Sequence, residues 1–101
     1  VGANCEQEPQ RMLPLLREMR KAVAVPIAAQ PAAFRTTEDC HGFTRQPAFP
    51  DDLETIQVSR RDFYEFARIV KAEGIGYIGG CCGCNAAYIR SLARGLAESL
   101  I

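Results

Sequence analysis

Apolar positions along this chain follow two periods, and their alternation lays out a fold. Met12, Leu15, Leu16, Met19 and Val23 recur at helical spacing, with Arg11, Arg17, Glu18, Arg20 and Lys21 mostly on other faces. They predict a first helix opening at Pro9, where a missing N–H costs nothing. Pro14 removes an internal hydrogen bond and is expected to tilt the first turn. Phe63, Phe66, Ala67 and Val70 form a second stripe, opened by a Ser59–Asp62 capping pattern and ended by Gly74. Ile89, Leu92, Ala93, Leu96 and Leu100 form a third over Tyr88 to Leu100, with Asn85 placed to cap it. Short apolar runs at residues 1–5, Val25 to Ala29 and Ile75 to Ile78 read as strands. In the second of these the flanking prolines favour a strand, although alanine-rich runs suit helices equally well.

The order is therefore strand, helix, strand, long loop, helix, strand, helix, and it predicts an α/β fold with parallel strands and helical crossovers. Residues 31 to 58 carry prolines, acidic residues and aromatics without a period. A connection of that length is commonly a lid or binding loop. Three strands with three helices make a poor closed unit, because a parallel sheet needs cover on both faces. A complete eight-stranded barrel takes about 250 residues, so this chain has room for about three of the eight β/α units. The expected architecture is the C-terminal portion of a (β/α)8 TIM barrel. The first residue is Val1, not methionine, which fits a piece of a longer chain or a processed one.

Composition narrows the function. Hydrophobic residues make up 48% of the chain, as in a globular domain. Twelve basic and twelve acidic residues cancel, and no basic stripe tracks phosphates, so nucleic acid is not an expected partner. The apolar stretch from Ala22 to Ala33 is broken by Pro26, Gln30 and Pro31, and no membrane span is expected. Five cysteines are an odd number for a disulfide framework. A reducing cytoplasm, with thiols held for metal, is the expected setting.

The thiols carry the chemistry. Gly79-Gly80-Cys81-Cys82-Gly83-Cys84 lies between the last strand and the last helix, and Cys5 follows the first strand. Zn²⁺ binds thiolates in a tetrahedron, and catalytic sites supply three ligands with one place open. Cys5, Cys81 and Cys82 are candidates for those three. Neighbours on a continuing strand face opposite ways, so Gly79, Gly80 and Gly83 are expected to supply the dihedrals that turn both sulfurs inward. Three thiolates on a dication give an electron-rich site suited to activating another thiol. Cys81-x-x-Cys84 before a helix also permits a redox module, although that leaves Cys5 unexplained. Cys84 is expected not to be a ligand. Cys40-His41 reads as incidental, with no sign of an oxyanion arrangement for a Cys–His hydrolase. Phe34, Phe43 and Phe49 are expected to anchor the loop rather than to form a cation cage, and Arg60 and Arg61 to sit in water.

Gly2-Ala3-Asn4-Cys5 and Gly79-Gly80-Cys81-Cys82-Gly83, followed by Tyr88-Ile89-Arg90, resemble the paired zinc motifs of the homocysteine S-methyltransferases. Pro26 to Pro31 and Phe43 to Arg60 look most like the betaine–homocysteine branch. The resemblance implies that residues 1–101 form the C-terminal part of a homocysteine-binding (β/α)8 domain with zinc on Cys5, Cys81 and Cys82. It implies methyl transfer from a betaine-like or S-methyl donor to homocysteine, giving methionine. Asn4 and Gln30 would orient ligands or substrate, and Gly79 and Gly80 would let substrate approach the backbone. Asn85-Ala86-Ala87-Tyr88 departs from the Pro and His that several members carry there. The partners expected are homocysteine, a small methyl donor, and either the N-terminal barrel strands or another copy of the chain. The alternative is a stand-alone zinc-binding or redox module.

Overall fold

In the computed structural model, which describes residues 1–98, three short parallel strands lie under three helices. The strands are β1 (Gly2–Asn4), β2 (Ala28–Gln30) and β3 (Tyr77–Ile78); the helices are α1 (Pro9–Ala22), α2 (Arg60–Ala72) and α3 (Ala86–Ala97). Strand order is β1-β2-β3, with Asn4 opposite Gln30 and Ala29 opposite Ile78. Consecutive parallel strands with no reversal bring all three C-terminal ends to one side of the sheet. The loops that leave those ends can then converge.

Local chemistry explains the helices. Pro9 opens α1, which runs through Pro14 unbroken. Ser59 and Asp62 form the predicted reciprocal capping box on α2, and Gly74, at φ +80°, follows its end. The Asn85 side chain accepts from the N–H groups of Ala87 and Tyr88 at the start of α3. The helix thus begins two residues before Tyr88. Leu100, assigned to its stripe from sequence, lies outside the described residues.

The strands are displaced from expectation. β2 begins at Ala28 rather than Val25, and β3 spans only Tyr77–Ile78. Pro26 has no N–H to enter a ladder. The Gly76 and Tyr77 N–H groups both point to the Ile27 carbonyl, so regular pairing starts only beyond them.

Met12, Leu16, Ile27, Ala29, Phe63, Phe66, Ala67, Val70, Ile75, Tyr88 and Leu92 form the main core. Three predicted stripe members face out instead: Leu15 and Ile89 are each 48% exposed, and Ala93 is exposed as well. Tyr88 closes the centre, its ring edge-on to Phe63 at 5.2 Å and its hydroxyl donating to the Val58 carbonyl at 2.6 Å. Helices α2 and α3 pack tightly at Gly95. A Cβ there would collide with the Tyr64 carbonyl oxygen and stand 2.7 Å from the Ala67 Cβ. Gly95→Ala should therefore cost about 1–3 kcal/mol, despite alanine's better helix propensity. Urea unfolding of the full-length protein checks this, and an unchanged or raised midpoint would contradict the packing argument.

The long connection is tied down at its roots. Phe34 and Phe43 are buried together with ring centroids 4.9 Å apart, and Phe49 stacks edge-on to Phe43 at 6.0 Å. This is the anchoring role expected of them. Phe34 pairs with Gln57 in an isolated bridge, and Val58 donates to the Ala33 carbonyl at 2.8 Å. Entry and exit of the loop therefore lie side by side. Buried Glu8 accepts from the Thr36 N–H at 3.0 Å and its hydroxyl at 2.6 Å, fixing the loop start to the α1 N-terminus. No helix among the described residues is long and apolar enough to cross a membrane.

Candidate metal centre

Cys5 and the Cys81–Cys82 pair leave different strands and meet over the C-terminal edge of the sheet. The Cys5 N–H donates to the Gln30 carbonyl at 2.8 Å, continuing the β1–β2 ladder one residue past Asn4. The backbone then turns sharply, with Cys5 at φ 62° and Glu6 at φ 63°. Two consecutive non-glycine residues in the left-handed region carry strain of about 1–3 kcal/mol each. What holds them is visible. The Phe43 N–H donates to the Glu6 carbonyl at 2.9 Å, and the Thr44 hydroxyl donates to the Glu6 carboxylate at 2.9 Å.

The vicinal cysteines sit in the turn beyond β3. The Gly79 and Cys81 N–H groups donate to the Ala29 and Pro31 carbonyls, and the Ala33 N–H donates to the Cys82 carbonyl at 2.9 Å. The glycines do not act quite as expected. Only Gly83, at φ +83°, takes a left-handed conformation; Gly79 and Gly80 do not. Their role is close approach. A Cβ on Gly80 would stand 2.6 Å from the Cys84 sulfur, and one on Gly83 would stand 2.6 Å from the Phe34 ring.

The three sulfurs lie within 4.8 Å of one another, with Cys5 Sγ and Cys82 Sγ 3.2 Å apart. A tetrahedron with zinc–sulfur bonds of about 2.3 Å has edges of about 3.8 Å. The Cys5–Cys82 separation is shorter than that edge and no pair exceeds 4.8 Å, so small side-chain rotations suffice and the donor set fits the metal. Cys82 is exposed, leaving one side of the trio open.

Electrostatics distribute the protons unevenly. Burial pushes the Cys5 thiol up, but S–H donation from Cys81 and Cys82, with the Cys82 and Glu6 N–H groups, brings it below its ordinary value. Cys81 and Cys82 move the other way. Donation to Cys5 raises both, aided by burial, and Cys82 is pushed up to about 12. Ionisation is thus easiest at Cys5 and hardest at Cys82.

Cys84 stands apart from the trio. It is partly buried against the core, its sulfur 3.8 Å from the Pro31 carbonyl oxygen, and burial raises its pKa. Raised thiols at both Cys81 and Cys84 are the opposite of what a redox Cys-x-x-Cys pair needs. All five cysteines are free. Cys40 is held by the Thr37 backbone and side chain, away from the trio.

Asn4 joins Cys5 in lining a cavity of about 450 Å³, together with Glu6, His41, Thr44 and Arg45. Gln30 lies against Gly79, where an added Cβ would be 3.2 Å from the amide nitrogen. Glu6, Thr44 and Arg45 escaped sequence reasoning. Their proximity to Cys5 depends on the left-handed turn, which residue types there do not announce. His41, set aside as incidental, also lines this cavity.

Fold and sulfur geometry together define a class: consecutive parallel β/α units bearing, at the strand ends, a three-thiol cluster that could hold a metal ion. Residues 1–96 match the Homocysteine S-methyltransferase family, and the chain belongs to it. It is 38% identical to betaine–homocysteine S-methyltransferase 1 of Xenopus laevis, over 96% of this chain and 26% of that protein. It is 36% identical to the S-methylmethionine–homocysteine S-methyltransferase of Pongo abelii, over 96% of this chain and 28% of that protein. The corresponding figures for betaine–homocysteine S-methyltransferase 1 of Danio rerio are 35%, 96% and 26%. The chain thus spans 26–28% of the length of these three curated relatives.

Proposed function

We propose that this chain is the metal-bearing C-terminal part of a homocysteine-binding (β/α)8 barrel. The complete protein would transfer a methyl group from a betaine-like or S-methyl donor to homocysteine, giving methionine. The observation that carries this is the convergence of three sulfurs from two strand ends, in a member of this family. Cys5, Cys81 and Cys82 would hold Zn²⁺. The uncovered sheet supports the barrel: Tyr77, on β3, is 63% exposed, and further strands would cover it. The free thiols fit a reducing cytoplasm.

Zinc bound by three thiolates leaves a fourth place and lowers the pKa of a thiol that fills it. The chain's own residues do the rest. The Gln30 carbonyl fixes Cys5, and the Ala33 N–H fixes the Cys82 turn. In the adjoining cavity, Glu6 and Arg45 offer opposite charges to the ammonium and carboxylate of an amino acid, and Asn4 adds an amide. Gln30, beside Gly79 and Gly80, would orient substrate against a backbone that has no side chains there. In the reaction a sulfur–methyl bond forms on homocysteine, and the donor's bond to that methyl breaks. The electron pair stays with the donor's nitrogen or sulfur.

Incubating zinc-loaded full-length protein with homocysteine and methyl-deuterated betaine or S-methylmethionine should yield labelled methionine, read by mass spectrometry. Failure with both donors would remove the reading.

A further inference from the structure

Away from the sulfurs, the outer groove between α2 and α3 gathers five arginines, and we propose that it binds a compact oligophosphate anion. Arg60, Arg61, Arg68, Arg90 and Arg94 line a cleft of about 590 Å³, with Ser59, Ser91 and Tyr64. The chain's net charge of zero hides this cluster, because α2 and α3 assemble it from residues about 30 positions apart. Two of the five have carboxylate partners: Arg61 with Glu65 at 3.2 Å and Arg94 with Glu98 at 3.6 Å. Among the described residues, no carboxylate lies within 4.0 Å of Arg60, Arg68 or Arg90.

One further observation points to a ligand. The guanidinium carbons of Arg61, Arg68 and Arg94 crowd around the Tyr64 ring, at 5.8, 5.7 and 5.4 Å from its centroid. Like charges gathered around one ring repel, and an anion in the cleft reverses the sign of that interaction. Ser59 caps α2 and Ala87 lies in the first turn of α3, so two helix N-termini add partial positive charge at one end.

The lining also sets the ligand class. Only Ala87 and the Tyr64 ring are apolar, so the cleft offers no pockets for peptide side chains. Planar guanidiniums and serine hydroxyls match phosphate oxygens. The three arginines without a carboxylate partner among the described residues match a ligand of three or four negative charges.

Titration calorimetry on the full-length protein, with inorganic tripolyphosphate and separately with ATP, tests this. Tripolyphosphate should saturate one site per chain, with affinity falling as salt rises. The Arg60→Gln/Arg90→Gln variant changes only exposed side chains and should weaken binding by about tenfold or more. Arg60→Lys/Arg90→Lys should recover part of the loss. Equal affinities for the two ligands would mean that only phosphates are read, and tighter ATP binding would identify a nucleotide that also uses Tyr64. No saturable binding of tripolyphosphate would overturn the proposal, as would an unchanged affinity in the glutamine variant. Tighter capture of polyglutamate or of a single-stranded oligonucleotide would do so too.

Discussion

Cys5→Ala and Cys82→Ala in the full-length protein should each reduce bound zinc from about one equivalent to near none under dialysis, with methyl transfer lost alongside. The two positions lie 77 residues apart and contribute sulfurs 3.2 Å from each other, so both substitutions should act on one ion. A three-thiolate site that loses one sulfur forfeits a large share of its binding free energy. The expected fall in affinity is on the order of a thousandfold. Cys84→Ala is the control, because its sulfur packs against the Pro31 carbonyl outside the trio. It should keep both metal and activity, at some cost in packing. Plasma emission spectrometry of the three variants gives the stoichiometries. Full zinc in Cys5→Ala would remove that residue from the ligand set.

Zinc affinity should also climb steeply with pH. In the metal-free site Cys5 is acidified while Cys81 and Cys82 are raised, the latter to about 12. A cation that needs three thiolates must therefore displace two protons wherever Cys5 is already ionised, and three below that point. Mass action then gives an affinity gain of about a hundredfold per pH unit where Cys5 is ionised, and about a thousandfold where it is not, while both neighbours remain protonated. The sign is fixed by the raised groups: alkali favours loading and acid expels the ion. Competition with a chromophoric chelator between pH 6 and 8 measures the slope. Calorimetry in buffers of different ionisation enthalpy counts the protons. A flat profile would show that the sulfurs are not loaded as thiolates.

Much of the architecture was legible because local rules and tertiary packing agree. The Ser59–Asp62 box, Gly74 and Asn85 mark helix ends by side-chain chemistry that acts within four residues, and each appears where the pattern put it. The sulfur trio was legible for a related reason: cysteines framed by glycines at strand ends have few other uses. Long-range geometry was harder to read. Leu15 and Ile89 fit their stripes by spacing alone, but helix rotation against the short sheet turns both outward. The left-handed turn at Cys5 and Glu6 is imposed by Phe43 and Thr44, nearly forty residues away, so nothing adjacent announced it. The glycine frame was assigned the right importance and partly the wrong reason. Gly80 makes room for a sulfur rather than supplying an unusual dihedral. The arginine cleft shows the same limit, since composition averages over positions that folding brings together.

The sulfur arrangement also bears on durability. An ion gripped by residue 5 and by residues 81 and 82 would fasten β1 to the turn after β3, as a removable staple across 77 residues. Ligation that binds only the native form adds to its stability by mass action, and closing so long a span restricts the unfolded chain as well. Zinc scarcity would then shorten the protein's lifetime against proteases as well as idle its chemistry. Abundance in the cell would track metal supply.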